Sequence, residues 1–415
     1  MKFLILADDL SGAADCAIGF AAAGHFAVVA LDAKSTDEFR QADTVAIDTD
    51  TRRCAPVEAA ARSVAAYSKL GGGRRLYKKI DSTLRGNWAA EVAALQPFAG
   101  LALVAPAFPA TGRVVRNGRV YVKGMPLEET GIWKLENEGR PADVRTLLAA
   151  SGLSCSLFDA EAFRDRPEKM AARFASQAEA GMQALVVDAQ SEETLRVLAR
   201  VTMQSDAMFF WVGSGGLARE IAALDPHPMK REARADAGFY PPVLAVVGSL
   251  SEVSERQCRI LCERGGIEEV VVDPSLLRCG PEDAGWRQLQ ESIGHALGAH
   301  RDLVLRIGRD ERFDPTEGTR LAEALAALLQ PHLQMVGGLI ATGGETARAL
   351  LRAAGIASLQ MLDEVEAGVA LSRPLGADGA AGPTIVTKAG AFGTDQALYS
   401  AWRQLRNKPG RIPPH

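Results

Sequence analysis

Short apolar runs, each broken off by polar or small residues and then followed by a helical period, recur along the whole chain. Phe3–Ala7, Phe26–Leu31, Thr44–Ile47, Arg75–Ile80, Leu101–Ala105, Ala184–Val187 and Met208–Val212 have the length and content of strands buried on both faces. Ala13–Ala23, Val57–Leu70, Trp88–Leu95 and Glu192–Val201 carry apolar residues at helical spacing between them. Strands that need cover on both faces, alternating with helices that supply it, predict βαβ units and a mainly parallel sheet.

The pattern then stops and restarts. His227–Pro242 mixes prolines with alternating charge and breaks every period. A second series follows, with strands at Val243–Val247, Val270–Val272, Leu303–Ile307, Leu339–Ala341 and Thr384–Thr387, and helices at Glu252–Glu263 and Arg320–Leu329. At 415 residues the chain is longer than one core usually serves. The expected fold is α/β: two Rossmann-like domains with mainly parallel sheets, residues 1–228 and 243–415, a linker at 229–242, and an active-site cleft between them.

Composition removes several classes of function. A formal net charge of -4 gives no field for holding nucleic acid, so the arginines and lysines are expected to pair locally with small anionic groups. The six cysteines are scattered apart from Cys258 and Cys262, and neither they nor the six histidines show zinc-site spacing. No apolar run approaches a membrane span and Phe3–Ala7 is too short for a signal peptide, so a cytoplasmic protein is expected.

Polar chemistry gathers where strands end. Lys78-Lys79-Ile80-Asp81-Ser82-Thr83-Leu84-Arg85-Gly86-Asn87 lies where a strand hands over to a helix, the edge at which α/β sheets bind ligands. Asp8 and Asp9 follow the first strand, Asp48–Arg53 the third, Pro106–Arg113 the run at Leu101–Ala105, and Gly213–Gly216 the last of the first series. Each cluster alone reads equally as a helix cap or a solvated turn; their convergence on one rim argues for a site. Asn117–Val122 suggests a turn and a short hairpin arm beside it.

The second half uses different residues. Gly248-Ser249-Leu250-Ser251, Thr342-Gly343-Gly344-Glu345-Thr346 and Lys388–Thr394 are small-residue loops after strands, and the latter two precede helices. Glycines allow close backbone approach and helix N-termini offer N–H groups, which suits a nucleotide's phosphates, although no P-loop sequence is present. Mixed charge in one half and uncharged anion cradles in the other suggest a two-lobed small-molecule kinase.

Ala7–Ala13, Lys78–Asn87, Pro106–Pro109, Thr342–Thr346 and Lys388–Gly393 resemble, in order and spacing, the four-carbon acid sugar kinases, and the resemblance spans both halves. It implies ATP-dependent phosphorylation of the terminal hydroxyl of threonate, erythronate or 3-oxo-tetronate, and phosphoryl transfer of this kind calls for Mg²⁺ bridging the phosphates. It places the sugar acid on Asp9, Arg52, Asp81, Ser82, Thr83, Leu84 and Arg85, and the nucleotide on Ser249, Gly343, Gly344, Glu345, Thr346 and Gly390. The chain departs from that pattern after Glu366, where Ala367-Gly368-Val369 stands in place of a Pro-Gly. Arg52 and Arg85 would pair with the substrate carboxylate, Asp9 and Asp81 with its hydroxyls. Asp81 is the candidate catalytic base and Asp395 a rival. A sugar-acid lyase or isomerase, or a two-lobed binding regulator, are the alternatives; metal ligands, the particular acid and any homo-oligomer are left open.

Overall fold

In the computed structural model the described residues are 1–33, 39–137, 139–227, 242–312, 314, 317–375, 382–390 and 392–406; the expected linker, 229–242, lies outside them apart from Pro242. The chain divides into two compact units, Met1–Met229 and Lys230–His415. Among the described residues no helix is long and apolar enough to cross a membrane.

In the first unit the strands are β1 (Phe3–Ala7), β2 (Ala27–Ala30), β3 (Thr44–Asp48), β4 (Arg75–Lys79), β5 (Leu101–Ala105), β6 (Arg113–Arg116), β7 (Arg119–Val122), β8 (Met125–Pro126), β9 (Cys155–Asp159), β10 (Ala184–Asp188) and β11 (Phe209–Gly213). Eight of them form a parallel sheet in the order β2-β3-β1-β4-β11-β5-β10-β9. β1 is buried along its whole length, as a strand with helices on both faces must be. The chain leaves β1 toward β2 and β3 on one side, then crosses to β4 on the other. Helix Leu10–Ala22 packs with Gly215–Leu224, and Pro56–Leu70 packs with Trp88–Ala99. The carboxyl ends of β1 and β4 therefore flank a topological switch point, where loops diverge and leave room for a ligand. β6–β8 form the predicted hairpin arm, turning at Asn117 and Gly118, both at positive φ.

In the second unit the strands are β12 (Val243–Val247), β13 (Glu268–Val272), β14 (Leu303–Ile307), β15 (Gly338–Thr342), β16 (Ser358–Glu366), β17 (Val369–Pro374) and β18 (Thr384–Lys388). Their order is β13-β14-β12-β15-β18-β17-β16, parallel from β13 to β18 and antiparallel beyond. The core gathers Val243, Val247, Leu261, Ile340, Val386 and Leu398 from both layers. Here the chain reverses across β12 and β15, so the loops after β12, β15 and β18 share one edge. The hairpin β16–β17 is absent from the strand pattern read above, because its half-buried end, Asp363-Glu364-Val365-Glu366, carries the charge of a surface loop.

Candidate functional site

The rim of the first unit is a lattice of opposite charges. Asp9 caps helix Leu10–Ala22, its carboxylate accepting the Gly12 N–H at 2.8 Å. Arg52, arriving after β3, donates through Nε and Nη2 to Asp8 (2.8 and 3.0 Å) and through Nη1 to Asp9 (2.7 Å). Asp81, just after β4, receives Arg85 Nη2 at 2.7 Å and lies 3.7 Å from Arg52 Nη2. Its other oxygen accepts the Thr83 N–H at 2.7 Å and the Thr83 hydroxyl.

The backbone makes this possible in few ways. Leu84 and Gly86 both take positive φ, 57° and 82°, and Trp88 Nε1 donates to the Leu84 carbonyl at 3.2 Å, closing the loop into a knot. A Cβ on Gly86 would stand 2.9 Å from Asp8 Oδ2, so the glycine lets the loop lie against that carboxylate. Ser82, Thr83 and Leu84 are buried in the same turn.

Burial acts against the charges of Asp8, Asp81 and Arg52, and their partners overcome it. Burial pushes the Asp8 carboxyl up, but Arg52, Lys78 and Lys79 outweigh it and hold it below the usual range. Asp81 is held well below that range by Arg85 and Arg52, again against burial. Arg52 is raised well above its ordinary value, because Asp8, Asp9 and Asp81 more than offset desolvation. All three groups are therefore ionised.

Three further groups belong to this rim. Lys79 is buried and would stand 2.9 Å from a Cβ at Gly12; Asp9, Asp15 and Asp8 help to keep it charged against desolvation. Arg113, the first residue of β6, is lowered by burial and feels Asp81 and Arg85 among its neighbours. The Ser11 hydroxyl is buried without a hydrogen-bond partner. Lys78, next to Lys79, points the other way and pairs at 3.0 Å with Glu91, both fully buried, with Thr51 and Ser63 donating to the same carboxylate. Strand alternation separates these neighbouring lysines, and the sequence does not show which faces the rim.

The second unit builds its rim from backbone. Gly343 takes φ 90° and begins helix Gly344–Ala353 with no side-chain cap, leaving first-turn N–H groups without one. Its own N–H donates to the Lys388 carbonyl at 2.8 Å, tying the loops after β15 and β18 together. A Cβ on Gly390 would lie 2.3 Å from Ser249 Oγ, and one on Gly248 would collide with Thr346 Oγ1. Ser249, Gly343, Gly344, Thr346 and Gly390 thus meet through three adjoining loops, with Glu345 in the first helical turn. The hydroxyls of Thr342 and Thr387, at the ends of β15 and β18, are buried and unpartnered.

Asp395 is paired with Arg256 at 3.2 Å and is more than half exposed. The helix expected from Asp395 starts at Ala397. After Glu366 the turn passes through Gly368 at φ 80°, and Glu366 accepts the Thr394 N–H and hydroxyl at 2.6 and 3.0 Å. Two clusters invisible in the spacing are His25–Asp225–His227 and Cys258–Cys262–Glu269, each with ligand atoms within 4.8 Å.

The chain matches two family models, the sugar-binding N-terminal domain over residues 3–221 and the nucleotide-binding C-terminal domain over residues 244–398. A protein of Cupriavidus necator named D-threonate kinase is 51% identical over 413 residues, covering 98% of both chains. One of the same name from Bordetella bronchiseptica is 33% identical, covering 97% of both. A crystal structure from Salmonella typhimurium, described as a putative tRNA synthase, superimposes with a TM-score of 0.80 over 97% of this chain and 99% of its own; at 23% identity the likeness speaks to fold alone. With both halves matched in order and a relative sharing half its residues end to end, the chain belongs to the four-carbon acid sugar kinase family.

Proposed function

We propose that this protein transfers the γ-phosphoryl group of ATP to the terminal hydroxyl of a four-carbon sugar acid, D-threonate first among them. One observation carries the reading: the switch-point rims of the two units have unlike chemistry, fixed charge on one and backbone donors on the other. A polyhydroxy acid needs carboxylates for its hydroxyls and a guanidinium for its own carboxylate. Triphosphate needs N–H groups and close backbone approach.

In this reading residues 1–228 hold the acid and 243–415 the nucleotide. Arg52 directs three donors to Asp8 and Asp9, so it sets those carboxylates in place, and the substrate carboxylate falls to Arg85 and Arg113. Asp9, Asp81 and the Ser11 hydroxyl address the substrate hydroxyls, with Ser82, Thr83 and Leu84 shaping the turn. Asp81 is the catalytic acceptor. Its depressed pKa makes it a weak base in the ground state, which suits a loose transition state where the proton leaves late.

Magnesium prefers oxygen ligands and keeps much of its coordination on water and phosphate. The two close ligand clusters among the described residues carry nitrogen and sulfur donors and do not fit it. Among the described residues no oxygen-only cluster for Mg²⁺ is formed. A reaction that consumes ATP fits a cytoplasmic location.

The test is an ATP-consumption assay with D- and L-threonate, D-erythronate and 3-oxo-tetronate, with the product's phosphorylated carbon assigned by NMR. D-threonate should give the highest kcat/KM and a 4-phosphate. Turnover with none of the four acids would sink the reading.

A further inference from the structure

Lys388, the last residue of β18, is 1% exposed, yet no ion pair with a carboxylate is formed by its ammonium among the described residues. Its Nζ donates to three carbonyls, those of Ala389 (2.9 Å), Gly390 (2.9 Å) and Phe392 (3.1 Å). Three donors meet three acceptors, so the ammonium is saturated within the loop. The other buried lysines differ: Lys78 lies 3.0 Å from Glu91, and Lys79 is among Asp8, Asp9 and Asp15. A buried charge without a counter-charge is costly, and a fold that needed only three hydrogen bonds has cheaper neutral donors.

The rest of the loop is held from the same side. The Gly390 carbonyl also accepts from Ser254 (2.6 Å) and Ser251 (3.2 Å), while Gln257 Nε2 donates to the Phe392 and Thr394 carbonyls at 3.1 and 2.7 Å. Carbonyls are thus drawn inward toward one cation and one helix, and Gly390 is packed so closely on Ser249 that no side chain fits.

We propose that Lys388 is the positioning residue of the nucleotide cradle: its buried ammonium gathers the carbonyls of Ala389, Gly390 and Phe392 and presents those groups to the phosphates, whose negative charge supplies the near counter-charge that Glu366, bonded to Thr394, does not. This rests on the kinase reading above and goes beyond it in naming what the cradle is built around. With its donors committed, Lys388 acts through the loop and its field, not by direct contact with phosphate.

The charged groups on surrounding elements are Glu366 on β16, Glu345 in the first turn of helix Gly344–Ala353, and the Asp395–Arg256 pair; of these only Glu366 bears on Lys388, and it is bonded to Thr394. Desolvation brings the Lys388 pKa down to about 8. Bound phosphate restores the charged form, so nucleotide binding above that pH must take up a proton.

Calorimetric titration with a non-hydrolysable ATP analogue, in two buffers of different ionisation enthalpy, reads this directly. The wild-type protein should take up protons at about pH 8.5 and none at about pH 6.5. K388M should lose that uptake and bind about tenfold more weakly, with the KM for the sugar acid within about twofold. S254A, which removes a neutral donor from the same loop, should bind about two- to threefold more weakly and keep the uptake. Absence of proton uptake in the wild type, or K388M that binds as tightly as wild type, overturns the inference, and the first requires no variant to fold. Failure of the wild type to bind any nucleotide would instead count against the kinase reading itself.

Discussion

The two rims occupy the same place in similar sheets and solve opposite problems. In the first unit, Asp8, Asp9, Arg52, Asp81 and Arg85 hold one another, and burial is tolerated because each charge has a partner. In the second, one buried lysine and three loops present the backbone. The contrast follows from the ligands proposed for them. Hydroxyls on neighbouring carbons are told apart only by fixed side chains, whereas phosphates are held by any well-placed array of N–H groups. The first rim should therefore be sensitive to side-chain identity and the second to backbone shape.

The largest effect is expected beneath the first rim. Glu91→Leu leaves Lys78 buried without its partner and should cost about 3–5 kcal/mol of stability, measured by urea denaturation. A loss under 1 kcal/mol would show that the charged half does not depend on this pair. Next, Asp81→Asn should lower kcat at least about a hundredfold while nucleotide affinity, read by calorimetry, stays within about twofold. Full turnover in that variant would remove Asp81 from the chemistry.

A smaller change tests the other side of the comparison. Gly343→Ala forces a side chain into φ 90° with no steric neighbour closer than 3.9 Å, so the effect is one of backbone conformation. The KM for ATP should rise about tenfold with the KM for the acid unchanged. Equal rises in both would mean that the rims do not divide the substrates.

The smallest effects separate the units by the pH range in which stability changes, since in both it rises with pH. Asp8 and Asp81 have depressed pKa values in the folded protein, so their contribution to stability is present above the ordinary carboxylate range and is lost as pH falls through the folded values. Lys388 is also depressed, but it is a cation. Between about 8 and its ordinary value the unfolded chain binds the extra proton, so stability without ligand rises with pH across that window. Urea midpoints followed from acid to alkaline pH should show both slopes, the alkaline one vanishing in K388M. An alkaline slope that survives in K388M would assign it to another group.

Much of this is legible in the residues alone. Continuous apolar runs such as Phe3–Ala7 mark strands covered on both faces, and the residues after them mark the rim. The hairpin β16–β17 is not, because Asp363–Glu366 is charged where the strand leaves cover. Lys388 is readable as part of a glycine-bearing loop but not as its anchor. His25 and Asp225 are 200 residues apart along the chain, and only the fold brings the Asp225 carbonyl to 2.7 Å from the His25 ring.

The sequence by itself determined the alternation, the two series, the glycine loops and the motif from Lys78 to Asn87, because these depend on period and on local backbone freedom. Tertiary structure decided what each charge does. Period-2 alternation sends Lys78 and Lys79 to opposite faces, but only helix Trp88–Ala99 bringing Glu91 beneath β4 makes Lys78 structural and leaves Lys79 to the rim. Arg52 holds Asp8 and Asp9 because β3 lies beside β1, and Arg113 comes within reach of Asp81 from a hairpin arm. A charge in a low-dielectric interior is defined by its partners, and those are assembled from segments that no local spacing connects.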